Sequence, residues 1–274
     1  MTFVIPAPTG ATRLFVIVGD PIAQVRSPAG VTAAFAARGH DGILVPAQVS
    51  TADLPDFLSV ATRLKNLDGI VVTIPHKFAC YQACASANHR AHFLRTVNLM
   101  RRRSDGGWHG DMVDGLGFVG AARAKGIDPR GMRALLVGAG GAGSAIALEL
   151  VEAGVSEIAI HDAATERRDV LIAQLNRLGK GRALAGSADP SGFDFVANAT
   201  PAGMKDGDPL PVDVTRLAPS AYCGCVITKP EISPFIAEAR KRGCVTATGI
   251  DMYQQHQSVM VDFLLGTDGG AIDV

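Results

Sequence analysis

Apolar and polar positions follow two rhythms along this chain. Short runs of branched and aliphatic residues at 14–18, 43–49 and 69–74 have the length and content of buried strands. Between them, residues 31–37 and 54–64 carry Ala and Leu at helical spacing and predict helices. The series restarts at Arg133, after the glycine-flanked stretch 126–131, with an apolar strand at 134–137. A helix over 142–153, stopped by Gly154, and a strand at Glu157–His161 follow. A last helix is predicted over 251–265. Strands alternating with helices favour parallel sheets covered by helices, so the fold class is α/β.

Bulk properties narrow the function classes. The chain has 274 residues, enough for two modest domains. Lys and Arg total 26 and so do Asp and Glu, so there is no basic excess to suggest a nucleic-acid partner. Arg101-Arg102-Arg103 forms a local cationic run, and after it Asp105-Gly106-Gly107 signals a turn, so the triplet is expected in a solvated loop. The five cysteines, at 80, 84, 223, 225 and 244, lack the spacing of a disulfide framework. No second pair matches Cys80/Cys84 or Cys223-Gly224-Cys225 as zinc would require, so buried reduced thiols and no metal are expected. Without a long apolar run or a signal-peptide pattern, a cytoplasmic protein with no membrane partner is expected.

The most specific local chemistry follows the strand at 134–137. It runs directly into Gly138-Ala139-Gly140-Gly141-Ala142-Gly143. Gly138, Gly140 and Gly143 fit the G-x-G-x-x-G spacing, which permits a tight turn, close approach of a pyrophosphate, and close helix–strand packing. The helix that follows aims its free N–H groups and positive dipole end at the phosphates. The next strand ends at Asp162, where an acid can accept hydrogen bonds from a ribose and repel a 2′-phosphate. A dinucleotide cofactor is therefore expected, NAD before NADP, although Arg167 and Arg168 nearby argue the other way.

Five segments resemble the shikimate/quinate dehydrogenase family. They are Gly19-Asp20-Pro21-Ile22 with Ser27-Pro28; Val72-Thr73-Ile74-Pro75-His76-Lys77; Val97-Asn98; Asp114-Gly115-Leu116-Gly117-Phe118; and Asn198-Ala199-Thr200-Pro201-Ala202-Gly203-Met204. The resemblance implies an N-terminal α/β substrate domain at 1–112, a Rossmann-type NAD-binding domain at 113–248, and a C-terminal helix at 249–274 returning to the first domain. It also implies hydride transfer between nicotinamide and a ring hydroxyl of a shikimate- or quinate-like cyclic carboxylate. Lys77 and Asp114 match the family's catalytic pair; which of them carries the proton stays open, since desolvation and a nearby carboxylate pull a lysine in opposite directions. Asn98 and Thr73 match contacts to ring hydroxyls, and Ser27 matches a contact to the substrate carboxylate. For Ser27, a helix cap is the plainer alternative. Asn198, Thr200, Gly203 and Met204 match the loop beside the nicotinamide.

The chain also departs from that family. Gln24-Val25-Arg26-Ser27 replaces a His-Ser-x-Ser pattern, so Val25 removes one carboxylate-binding hydroxyl. His256 stands where the family carries a substrate-touching glutamine, with Gln255 and Gln257 beside it, and Thr228 replaces a tyrosine. Arg26 or His256 is expected to take over the anion contact, because guanidinium suits a carboxylate. A non-catalytic NAD-binding regulator, or a dehydrogenase of another polyol acid, would share the scaffold. A monomer or homodimer is expected.

Overall fold

The computed structural model describes residues 7–268. The chain forms two compact units: one runs to Val113 and takes in the chain from Gln257 onward, and the other is Asp114–His256.

The first unit contains β1 (Arg13–Gly19), α1 (Ser27–Ala37), β2 (Gly42–Gln48), α2 (Leu54–Arg63), β3 (Leu67–Val72), α3 (Lys77–Gln82), β4 (Ser86–Ala87), α4 (His89–Leu94), β5 (Leu99–Arg102) and β6 (Trp108–Asp111). Its sheet has the order β2-β1-β3-β5-β6-β4. The apolar runs of β1, β2 and β3 pair in parallel, with Phe15, Val16, Ile17, Val18, Ile70 and Val72 buried. Beyond β3 the expected parallel pattern ends, because β5 runs antiparallel to both β3 and β6.

That reversal corrects the expectation for the arginine run. Arg101 and Arg102 lie in β5 rather than in a solvated loop. Arg101 is only 7% exposed. Its Nη1 donates to Phe263 O at 2.8 Å and to Asp268 Oδ1 at 2.9 Å, and the guanidinium lies 5.0 Å from the centre of the Phe263 ring. Arg102 donates to Ala61, Thr62 and Leu64 carbonyls at the end of α2, and its guanidinium stacks 4.4 Å from the centre of a Trp108 ring. These carbonyls lie at the C-terminal end of a helix, where few backbone N–H groups remain to serve them, and the guanidinium supplies further donors. Local charge alone suggests a solvated triplet, whereas the acceptors that hold Arg101 and Arg102 are distant in sequence.

The second unit contains α5 (Asp114–Ala124), β7 (Arg133–Val137), α6 (Gly141–Glu152), β8 (Glu157–His161), α7 (Thr165–Asn176), β9 (Arg182–Ala185), β10 (Phe195–Asn198), β11 (Tyr222–Cys225), α8 (Pro234–Lys241), β12 (Val245–Ala247) and the start of α9 (Gly249–Leu265). Every strand pair is parallel, in the order β12-β11-β10-β7-β8-β9. This is the doubly wound arrangement of a Rossmann sheet, whose strand order reverses beside its first strand, here β7. Leu135, Leu136, Ile158, Ile160, Val196 and Ala197 are fully buried, as central parallel strands require. Gly115 lets α5 approach α6, since a Cβ there would collide with Ala145 O.

The later part of α9 belongs to the first unit, where Asp262 pairs with Arg38 at 2.6 Å. No helix among the described residues is long and apolar enough to cross a membrane. All five cysteines are free thiols, and burial pushes Cys80 and Cys84 up to about 12. Among the described residues no three His, Cys, Asp or Glu side chains gather as a metal site.

Candidate active site

Strand polarity decides which side chains share an edge of the first sheet. Because β1 and β3 are parallel and β5 opposes β3, the ends of β1 and β3 lie beside the start of β5 and the end of β6. Ser27 follows β1, Thr73 follows β3, Lys77 opens α3, and Asn98 immediately precedes β5. Gly19 is needed here, since a Cβ would collide with Thr73 Cγ2. Thr73 N–H donates to Val18 O at 2.9 Å, and Asp20 N–H to Ile74 O at 2.9 Å, which fixes the loop leading to Lys77. Buried His76 adds a further tie: its Nε2 donates to Val49 O at 2.7 Å. The Lys77 carbonyl accepts from Val97 N–H at 3.1 Å, so the start of α3 is tied to the residue before Asn98.

Asn98 is buried and heavily constrained. Its N–H donates to Asp111 O at 2.9 Å, its carbonyl accepts from Val72 N–H at 2.8 Å, and its Oδ1 accepts from Val113 N–H at 2.9 Å. Ser27 is the first residue of α1, and Arg26, not Ser27, occupies the cap position without a side-chain bond. The Ser27 hydroxyl is buried with no protein partner, so the capping alternative does not account for it. Arg26 is exposed.

The second unit presents its own edge at the carboxyl ends of its parallel strands. Gly138 has φ +101°, a left-handed conformation suited to glycine, and a Cβ at Gly143 would collide with Gly138 O. Gly140 instead faces open space. Gly141 and Ala142 begin α6, a helix of 12 residues whose first N–H groups face the same way. An open glycine at the start of such a helix fits a dinucleotide pyrophosphate.

Asp162 follows β8, and its carboxylate is fully engaged. Oδ2 accepts from Ala139 N–H at 2.6 Å, Oδ1 accepts from Ala164 N–H at 2.7 Å, and Arg167 Nη2 lies 2.8 Å from both oxygens. Burial acts to raise this carboxyl, but the N–H donors and the guanidinium outweigh it and hold it below the usual carboxylate range. The Arg167 side chain is 49% exposed, so its other face meets solvent. After β10, buried Asn198 organises the next loop: Oδ1 accepts from Thr200 N–H at 3.0 Å and Thr200 Oγ1 at 2.7 Å. Gly203 also has φ +101° and donates its N–H to Asp208 at 3.0 Å, while Met204 packs on the core.

Asp114 is buried and is the first residue of α5. A carboxylate in a first turn is favoured by the helix dipole. His256 is buried on α9, with Nδ1 donating to Met252 O at 2.8 Å and its ring against Gly117 of α5. Two residues of the first unit had no expected role: Arg90 and Asp111. Asp111 lies inside a segment marked by its glycines and Asp114, whereas Arg90 meets it across 21 residues, which no local spacing reveals.

Comparison with known proteins matches residues 17–100 to the substrate-binding domain of shikimate dehydrogenase. A shikimate dehydrogenase (NADP(+)) of Rubrobacter xylanophilus is 34% identical over 251 residues, covering 89% of this chain and 88% of that protein. The crystal structure of a Listeria monocytogenes shikimate 5-dehydrogenase, in complex with shikimate and NAD, superposes with TM-score 0.82 at 25% identity, covering 96% and 95% of the two chains. A 5-ketofructose reductase of Gluconobacter sp. strain CHM43 superposes with TM-score 0.79 at 28% identity, covering 93% of each.

These findings overturn the expected preference for NAD. Three relatives at 32–34% identity are each named shikimate dehydrogenase (NADP(+)). The expectation took Asp162 as a bare negative charge that would repel a 2′-phosphate. In the structure that charge is matched by Arg167 and by the Ala139 and Ala164 N–H groups.

Proposed function

The chain belongs to the shikimate dehydrogenase family and is a shikimate dehydrogenase-like oxidoreductase, and we propose that it interconverts a ring hydroxyl and ketone of a shikimate- or quinate-like acid with NADP. The observation that carries this reading is topological. Ser27 follows β1, Thr73 and Lys77 follow β3, and Asn98 precedes β5, and strand polarity brings these three strand ends to one sheet edge.

Bound NADP supplies or accepts the hydride. Lys77 and Asp114, which match the family's catalytic pair, handle the hydroxyl proton, because losing a hydride from a secondary alcohol requires losing that proton as well. Asn98 and Thr73 hold ring hydroxyls. The sequestered Ser27 hydroxyl and the exposed Arg26 guanidinium hold the carboxylate, Arg26 replacing the hydroxyl lost at Val25. Arg167 meets the 2′-phosphate with the donors it does not direct at Asp162. The glycines 138, 140 and 143 and the Asn198–Met204 loop shape the cofactor site, with Ala139 N–H reserved for Asp162.

A second reading is favoured by Val25 and by the ketofructose reductase likeness: the substrate is a keto sugar or polyol without a carboxylate. A single panel separates the two. Initial rates of NADP reduction are measured with shikimate, quinate and acyclic polyols, for the parent and Arg26→Ala. The first reading predicts turnover of a ring acid and a KM about tenfold higher in Arg26→Ala, the scale of one charge-assisted hydrogen bond. Turnover of polyols alone, with Arg26→Ala unchanged, would establish the second.

A further inference from the structure

We propose that Arg90 and Asp111 form a positioning pair that sets the geometry of Asn98 and of the chain entering Asp114. The inference rests on the roles assigned above to those two residues. Asp111 closes β6 and is 1% exposed. Taking a carboxylate out of water costs several kcal/mol unless it is paired and fully hydrogen-bonded. Arg90 meets it in a two-pronged pair: Nε donates to Oδ1 at 2.8 Å and Nη2 donates to Oδ2.

Asp111 also holds the next residues. Its Oδ1 accepts from Met112 N–H at 2.7 Å, directly after the strand. Its backbone carbonyl accepts from Asn98 N–H at 2.9 Å, and Asn98 Oδ1 in turn accepts from Val113 N–H at 2.9 Å. A continuous hydrogen-bonded path therefore runs from the Arg90 guanidinium through Asp111 and Asn98 to Val113, the residue bonded to Asp114. An apolar pair of similar volume would serve stability equally well. What an apolar pair would lack is the acceptor for Met112 N–H and the planar fork that orients it.

Neither residue touches the reacting atoms in this scheme; both act through Asn98 and the 111–113 backbone. Arg90 is one-third exposed, so Arg90→Gln keeps much of the side chain and leaves room for water at Asp111. The test combines backbone hydrogen exchange with steady-state kinetics on the full-length parent, Arg90→Lys, Arg90→Gln and Arg90→Ala. Exchange at the Asn98, Met112 and Val113 amides should quicken by about tenfold or more in the Gln and Ala variants, with α6 and β7 unchanged. For the substrate found with the parent, kcat should fall by about thirtyfold, on the scale of a misplaced reacting group. The Kd of NADPH should stay within about twofold, and Arg90→Lys should recover only part of kcat because an ammonium cannot form the fork.

Unchanged exchange at those amides would overturn the proposal, as would faster exchange with kcat and substrate KM unaltered. If the parent turned over no ring acid or polyol, the functional reading would fall. The exchange data would then decide by themselves whether the pair orders residues 98 and 111–113.

Discussion

The two sheets are built from similar numbers of strands but place their chemistry differently. In the second unit the cofactor loop is contiguous: Gly138 to Gly143 supply the turn, the open face and the helix start within one βα connection. In the first unit the corresponding edge is assembled from four separate stretches, 27, 73–77, 98 and 111–113, with an antiparallel reversal among them. A contiguous motif tolerates change in its surroundings and fails sharply when its own backbone is altered. A distributed edge depends on buried ties such as Asp111 and His76, each able to shift it slightly.

The largest expected effect tests the contiguous motif. Gly143→Ala sets a Cβ against Gly138 O, and should destabilise the second unit by about 3 kcal/mol or prevent folding. Gly140→Ala meets no protein atom within 4 Å, so it should melt with the parent while binding NADPH much more weakly. Thermal melts and NADPH fluorescence titrations of both variants check this contrast, and equal melting temperatures would break it.

A smaller effect tests the pairing at Asp162. Arg167→Ala should weaken NADPH binding by about tenfold to a hundredfold, as loss of a charge-assisted contact does, and leave NADH binding within about threefold. The ratio of the two dissociation constants measures it. Equal losses for both cofactors would mean that Arg167 serves only to hold Asp162.

The smallest effect lies in the first unit, at buried His109. Its Nε2 donates to Asn88 Oδ1 at 3.1 Å and its Nδ1 is 2.8 Å from Ser86 Oγ, which also accepts from Arg103. Burial first, and then the positive charge of Arg101, hold this imidazole below its ordinary value. The unfolded chain therefore takes up the proton first as pH falls from about 6.5. Stability contributed by neutral His109 is present above that pH and is lost as pH drops through the lower folded value. His109→Gln should flatten the fall in melting temperature between pH 7 and pH 5. An unchanged slope would remove His109 from the acid response.

This contrast also explains what was legible in the sequence. The strand, glycines and helix at 133–152 follow from nearest-neighbour rules: apolar length, left-handed φ and helix-end chemistry. Asp162 was legible as a position but not as a charge state, because Arg167 and the Ala139 N–H reach it only in the fold. Arg101 and Arg102 were misplaced for the same reason: their partners at 61–64 and 263 are distant in sequence. At the first unit's edge, motif residues such as Lys77 and Asn98 stood out by resemblance. The ties that orient them, Arg90 to Asp111 above all, have no periodicity of their own.

The proposed reaction is hydride transfer to a ring ketone, with Lys77 and Asp114 handling the proton. Its most direct test is NMR of the product formed when NADPH deuterated at the transferable position is incubated with the oxo forms of shikimate and quinate. The account predicts one deuterium per NADPH oxidised, on the carbon that gains the hydroxyl, with Lys77→Ala slowed by about a hundredfold or more at unchanged NADPH affinity. Tight NADPH binding with no deuterium entering either acid, or full activity in Lys77→Ala, would contradict it.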